Sequence, residues 1–175
     1  AVRAVVTGST GPATAATVTA AYVPFGPTRL ADTRATPCGC DRVDASTFTV
    51  DVSDRPGVPA GVVAAAVTVT ATPTRQASVV SVYPDGATRP EVSTLNTRPD
   101  RTVANSAIVP IGANGRLAVF TLAPGDVIVD ITGVFVATDA ATAGRYVAVA
   151  SRRLVDTRLA GADAGPLPEY GELTV

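Results

Sequence analysis

Two stretches of the chain carry the same charged and hydroxyl side chains at the same spacing. Residues 28–35 read TRLADTRA and residues 152–159 read RRLVDTRL, so both contain R-L-x-D-T-R. A carboxylate between two guanidinium groups could bind an ionic ligand or a cation. The same side chains could instead form a structural corner, because Arg has five fixed N–H donors and binds carbonyl or carboxylate oxygens in pairs.

We expect a structural corner in both copies, since buried polar groups must find hydrogen-bond partners. Asp130 is assigned to it because this acid interrupts the apolar sequence VIVDITG, where a lone carboxylate is costly unless it is paired. If Asp130 faces inward, an Arg of the corner is its expected partner; if it faces outward, it is an ordinary surface acid. The predicted corner residues are Arg29, Asp32, Thr33, Arg34, Asp130, Arg153, Asp156 and Arg158.

Cys38 and Cys40 are the only cysteines, and they lie in the sequence PCGCD. The chain has no His, and two thiolates are too few to complete a zinc site. A redox motif normally has C-x-x-C rather than C-x-C spacing. Two interpretations stay open, namely a local disulfide across a Gly-containing turn and a pair of free thiols.

A cluster of acids follows the cysteines. Calcium takes six to eight oxygen ligands, often from Asp-rich loops, but the spacing matches no EF-hand loop. Arg42 and Arg55 also lie among these acids. We therefore predict no metal and no cofactor. The acids are Asp41, Asp44, Asp51 and Asp54.

The composition also bears on enzymatic and nucleic-acid-binding functions. Without His, the commonest general base is missing, and TGSTG (7–11) is not the G-x-S-x-G nucleophile elbow, so we predict that the chain is not an enzyme. The net charge is −1 and the 14 cations are scattered arginines, which excludes the basic patch of a nucleic-acid binder. No apolar run is long enough to predict membrane insertion.

A second set of polar residues predicts a ligand site. Carbohydrate sites usually present an aromatic face beside polar groups, and Tyr83 lies beside the turn sequence Pro84-Asp85-Gly86. Asn96 and Asn105 end or interrupt apolar strands, where turn capping is the structural alternative. The candidate ligand-binding residues are thus Tyr83, Asp85, Asn96 and Asn105.

The elements that must position these residues are predicted to be strands. Within residues 61–73, Val67, Val69 and Ala71 alternate with Thr68, Thr70 and Thr72, which is typical of a strand with one buried face. The dipeptide Asn114-Gly115 between apolar runs predicts a hairpin. Short, evenly spaced strands favour an all-β, jelly-roll-like sandwich. The other predicted strands are 77–84, 102–111, 116–122 and 126–136.

The repeated motif belongs to a longer internal repeat. Arg29 and Arg153 are 124 positions apart (153 − 29), and so are Tyr22 and Tyr146 (146 − 22). STFTV (46–50) also matches GELTV (171–175), and AVVTG (4–8) matches VDITG (129–133). A period this long fits tandem β-domains rather than a solenoid. We predict the end of a preceding unit over 1–21, a complete unit over 22–138, and a linker with the start of a following unit over 139–175.

The order of motifs resembles a repeated β-domain of secreted and cell-surface proteins of GC-rich bacteria. This family often has one Cys before R-L and another before G-V-P, whereas this chain has Thr28 and Pro56, so Cys38 and Cys40 are not the family pair. The resemblance implies an extracellular array module with a surface or adhesive role, and it brings no known catalytic activity. The matching stretches are RLADTR (29–34), GVPA (57–60), VTVT (67–70), VYPDG (82–86), STLN (93–96), TVAN (102–105), VPIG (109–112) and VDITGVF (129–135).

The resulting hypothesis is a structural or adhesive module of a surface fibre, stalk or adhesin. Its expected partners are other copies of the chain or neighbouring repeat units. Because unpaired edge strands recruit strands from neighbours, residues 1–8 or 144–175 are expected to pair with an adjacent chain. The alternative is a carbohydrate-binding module that recognises cell-wall or host glycans.

Overall fold

The computed structural model describes residues 19–74, 76–139, 146–147, 149 and 153–158. All regular structure in this part is β, and none of it is a helix that could span a membrane. The strands are β1 (Thr19–Asp32), β2 (Asp41–Arg42), β3 (Thr47–Asp51), β4 (Val62–Ala71), β5 (Ser78–Pro84), β6 (Leu95–Thr97), β7 (Val103–Pro110), β8 (Arg116–Thr121), β9 (Val127–Ala137) and β10 (Tyr146–Val147).

These strands form two antiparallel sheets that pack face to face. One sheet has the order β10-β1-β9-β4-β7 and the other has the order β2-β3-β8-β5-β6. Successive strands from β3 to β9 lie in alternate sheets, except that β5 and β6 are neighbours in one sheet. This alternation is that of a jelly roll. The prediction of an all-β, jelly-roll-like sandwich is confirmed.

The core lies between the sheets and is built mainly from valine. In β4, Val67 and Val69 are buried while Thr68 and Thr70 are half-buried on the opposite face, as the period-2 pattern predicts. β-Branched side chains suit this pleated surface. The largest fully buried side chains are Leu30, Leu117 and Ile131.

The predicted hairpin at Asn114-Gly115 is wrong. β7 and β8 lie in different sheets, so residues 111–115 cross from one sheet to the other. Gly115 has φ 77°, and its carbonyl accepts hydrogen bonds from the Val52 and Ser53 amides. The turn signal was correct, but contacts with another loop determine where the chain goes next.

β1 was not recognised as a strand because Pro24, Gly26 and Pro27 interrupt it. These residues form a bulge: Pro24 pairs with Gly133 and Thr28 with Ile131 of β9, so three residues lie opposite Thr132 alone. Every strand except β10 lies within residues 19–137. The repeat boundaries stay a prediction, and the matching stretches 4–8 and 171–175 lie outside the described residues.

Candidate functional site: two polar corners and a cleft

The carboxylate of Asp32, at the end of β1, is the centre of the first polar corner. Its Oδ2 accepts hydrogen bonds from Arg29 Nη1 (2.8 Å) and Arg34 Nη2 (2.7 Å). Its Oδ1 accepts from Arg34 Nε (2.8 Å) and from the Arg34 backbone amide (3.1 Å). Both carboxylate oxygens therefore have two donors within the six residues 29–34.

The first corner is also bonded to β9. Arg29 Nε donates to Asp130 Oδ1 at 2.6 Å. Thr33 Oγ1 donates to Asp126 Oδ1 (2.9 Å) and accepts from the Val127 amide (3.0 Å), while the Thr33 amide donates to the Val127 carbonyl (3.1 Å). These bonds join two strands that are about a hundred residues apart in the sequence.

The pairing predicted for Asp130 is confirmed, but the face predicted with it is wrong. Val129 and Ile131 are buried, so the intervening Asp130 points to the outer face, where its side chain is 27% exposed. Arg29 lies directly opposite on β1, so the sheet register brings the two charges together at the surface.

The charges of the first corner are strongly stabilised by one another. Hydrogen bonds from the Arg34 side chain hold the pKa of Asp32 well below its usual range. The pKa of Arg34 is raised by Asp32, and that of Arg29 chiefly by Asp130. Because its oxygens are already occupied, the Asp32 carboxylate is poorly suited to accept a proton or to bind a cation.

The second corner has the same local geometry. Asp156 Oδ2 accepts from Arg153 Nη1 (2.6 Å) and Arg158 Nη2 (2.6 Å). Asp156 Oδ1 accepts from Arg158 Nε (2.8 Å) and the Arg158 amide (3.1 Å). Arg158 is the main cause that holds the pKa of Asp156 well below its usual range. Within the described residues, Asp156 is the only carboxylate that pairs with Arg153.

Arg55 supports the first corner through hydrogen bonds to backbone carbonyls, and no local sequence pattern indicates this role. Its Nη2 donates to the carbonyls of Leu30 (2.8 Å) and Gly39 (3.1 Å), and its Nε donates to the Asp51 carbonyl (3.4 Å). One guanidinium thus links β1, the turn between Cys38 and Cys40 (the cysteine turn), and β3. In the sequence Arg55 was simply a cation among acids.

Cys38 and Cys40 are joined by a disulfide, which decides between the two open interpretations. The turn that they enclose packs on the first corner, because the Cys38 carbonyl accepts from the Asp32 amide at 2.9 Å. Gly39 has φ 71°, and a Cβ there would lie 2.4 Å from the Leu30 carbonyl oxygen. A glycine is therefore required between the cysteines.

The acids after the cysteine turn have partners of their own. Asp41 pairs with Arg116. Asp44 Oδ1 accepts from the Ser46 and Thr47 amides, which lowers its pKa. The Asp51 side chain accepts from the Asp54 amide. Across the described residues, no three His, Cys, Asp or Glu side chains come together as a metal site would require.

A cleft of about 760 Å³ lies between residues 84–94 and β7. Of the four candidate ligand-binding residues, Tyr83 and Asn105 line it. Asp85 and Asn96 are absent from its wall: Asp85 Oδ2 accepts from Asn114, and Asn96 Oδ1 accepts from Ser93. The structure thus brings two of the four together.

The polar groups that line the cleft are largely engaged. Asn105 Nδ2 donates to the Thr94 carbonyl (2.6 Å), and its Oδ1 accepts from the Ser106 amide (3.0 Å). The guanidinium of Arg89 lies 4.3 Å from the ring centre of Phe120, a cation–π contact. Much of the remaining wall is apolar: Val82, Pro84, Ala87, Pro90, Val92, Ala107, Ile108, Val109 and Pro110.

Comparisons with protein-family models, with curated proteins and with solved structures found no match to this chain.

Proposed function

We propose that the chain is a non-catalytic structural module of an extracellular or cell-surface repeat protein, in which a strand of one repeat unit joins the sheet of its neighbour. The observation that carries this proposal is that the two corners have matching hydrogen bonds. The same four hydrogen bonds form around Asp32 and around Asp156, which supports two copies of one structural unit.

The saturation of the corner supports a structural rather than a ligand-binding role. Each oxygen of Asp32 accepts two hydrogen bonds, and Arg29 also binds Asp130. A cation would have to displace one of these arginines from Asp32. The motif is therefore better suited to fixing the chain than to binding a cation.

The position of β10 supports the sharing of strands. Tyr146 and Val147 belong to the second copy, yet they pair with Ala20 and Thr19 at the edge of the first sheet. Covering an edge in this way is a recognised means of joining protein units. The Cys38–Cys40 disulfide is in line with an oxidising compartment such as the cell exterior.

Light scattering after size exclusion, over a concentration series of the 175-residue chain, tests this function. We expect the mass to rise with concentration as residues 146–158 exchange between chains, and filaments or oligomers to be visible by electron microscopy. Val147→Pro should abolish the association because proline is poorly tolerated within a paired strand. Val43→Ser, which replaces a side chain that is 62% exposed elsewhere, should not. A monomer at every concentration would contradict assembly through shared strands.

The cleft favours carbohydrate binding as a second candidate function. Tyr83 offers an aromatic ring in its wall, and Arg89 and Glu91 lie beside it. Binding to an array of cell-wall and host glycans that is lost in Tyr83→Ala, and kept in Leu122→Ser, would support this function over the structural one. Leu122 is 64% exposed and lies outside the cleft wall, which makes it a suitable control.

A further inference from the structure

The beginning of the second copy contacts the first unit through an aromatic cluster. The ring of Tyr146 lies 4.5 Å from that of Phe135, centre to centre, and the ring of Tyr22 lies 5.1 Å from the same Phe135. Tyr22 and Tyr146 occupy equivalent positions of the repeat (146 − 22 = 124). Phe135 thus contacts the same tyrosine of two successive copies.

Tyr22 is held within its own unit. Its hydroxyl donates to the Thr132 carbonyl at 3.2 Å, and its ring covers Gly133, where a Cβ would lie about 2.5 Å from the hydroxyl oxygen. Burial raises the pKa of Tyr146, in keeping with its contact on Phe135. The two equivalent tyrosines therefore use Phe135 differently, one to complete a unit and the other to join the next copy to it.

A second apolar side chain of this segment lies beside the first unit three residues later. Val149 is part of the cleft wall beside β7. Its repeat equivalent is Phe25 (149 − 25 = 124), which lines a smaller cavity of about 330 Å³ with Leu30 and Ile131 in the first unit. An apolar side chain thus borders a cavity at this repeat position in both copies, but Val149 is 76% exposed and lies only at the rim of the cleft.

The cleft is not suited to ordinary strand addition along β7. The Ser106 amide is already bonded to Asn105, and Pro110, which lies an even number of residues further along the same edge, has no N–H. Two of the positions on this edge thus offer no N–H to a further strand, and the wall also offers the side chain of Ile108, which is 49% exposed. A segment with small apolar side chains suits such a surface.

We infer that Phe135, with the exposed edge of β1 and the rim of the cleft beside β7, forms the docking surface for the first strand of the following repeat unit, which begins at Tyr146 in this chain. The inference rests on the proposed function, since it treats residue 146 onward as the start of a neighbouring unit. The Tyr146–Phe135 contact, together with the β10–β1 pairing, fixes the orientation of successive units.

Limited trypsin digestion of the full chain tests this inference, because Arg145 and Arg152 flank residues 146–149. We expect cleavage after both to be slow in the native chain and about threefold to tenfold faster in Tyr146→Ala, the effect of losing one aromatic pair. Ile108→Asp should accelerate the same cleavages by placing a charge in the cleft. The matched control is Leu154→Ala, which removes a side chain of the second copy that is 72% exposed and should change neither rate.

Native-chain cleavage as fast as in a synthetic peptide of residues 140–158 would overturn the inference, and so would unchanged rates in Tyr146→Ala. A glycan or foreign peptide that occupies the cleft equally well in the native chain and in Tyr146→Ala would also overturn it. The proposed function can fail separately. If the chain stays monomeric but residues 146–149 are protected from trypsin, assembly is contradicted and the docking surface stands. If the Tyr146→Ala chain associates as strongly as the native chain, the proposal of assembly stands and the proposed docking surface is contradicted.

Discussion

The two R-L-x-D-T-R corners have the same internal hydrogen bonds but different surroundings. Leu30 and Ala31 in the first corner are each 1% exposed, whereas their equivalents Leu154 and Val155 are 72% and 41% exposed. The four bonds around the aspartate close within six residues, so local sequence is enough to form them. Burial of the neighbouring apolar side chains needs partners from distant parts of the chain.

The comparison separates a local structure from its structural role. In the first corner, Arg29 reaches Asp130 and Thr33 reaches Val127, which fastens the end of β1 to β9. Within the described residues, the second corner has no counterpart of these bonds. Among the described residues, the same local corner is therefore bonded to a sheet in the first copy, where β9 lies against it, and to none in the second.

The largest effect is expected from removing a support that the described second corner lacks. Arg55→Met should lower the free energy of unfolding by about 2 kcal/mol, because it leaves the carbonyls of Leu30 and Gly39 without their charged donor. Urea denaturation measures the loss. Arg98→Met is the control, since Arg98 is exposed and should change stability by no more than about 0.5 kcal/mol. Equal stability of the two variants would contradict the role assigned to Arg55.

A matched pair of substitutions tests the two corners themselves. Asp32→Asn places an amide among the donors of Arg29 and Arg34 and should lower the Tm of the sandwich, by less than Arg55→Met does. Asp156→Asn makes the same change in the second corner and should leave the Tm unchanged, because no bond among the described residues joins that corner to the sandwich core. Calorimetry compares the two. Equal losses would show that both corners are anchored in the same way.

The pH dependence of stability tests the contribution of the Asp32 carboxylate in another way. The pKa of Asp32 is lowered on folding, so its contribution is present above the ordinary value of 3.8 and is lost as the pH falls below it. The difference in unfolding free energy between the native chain and Asp32→Asn should therefore be constant near neutral pH and shrink below pH 3.8. Denaturation at a series of pH values measures it. A difference that persists at the acid end would mean that the carboxylate charge is not its source.

The smallest effect concerns the ion pair between β1 and β9. Asp130→Asn should cost about 0.5 kcal/mol, because Arg29 is half exposed and surface pairs are weak. The loss should diminish further in 1 M salt, which screens exposed charges. A loss of several kcal/mol that salt does not change would instead indicate a buried pair and contradict the outward position of Asp130.

Local patterns allowed much of the fold to be predicted. The alternation in residues 61–73 identified β4 and its buried face, and the remaining apolar runs identified β5, β7, β8 and β9. The crossing at Gly115 could not be predicted, because contacts with Val52 and Ser53 fix its direction. β1 was missed since a bulge containing Pro24 and Pro27 hides its pattern.

The candidate sites were predictable to the extent that they are local. The corner around Asp32 follows from the motif, and the pairing of Asp130 with an Arg was expected from the cost of a lone carboxylate. Its outward face depends on the β1–β9 register, which no local pattern contains. Arg55 and the joint contact of Tyr22 and Tyr146 with Phe135 are long-range as well, and residue spacing alone gave no indication of either.

Hydrogen exchange of the two corners in one chain tests directly whether anchoring to β9 makes the corner structural. Peptides that cover residues 30–35 and 154–159 would be followed by mass spectrometry in the same sample. We expect the first peptide to exchange only with global unfolding, since the Asp32 and Thr33 amides are bonded to Cys38 and Val127, and the second to exchange orders of magnitude faster. Equal protection of both peptides would contradict the claim that anchoring to β9, rather than the motif itself, makes the corner structural.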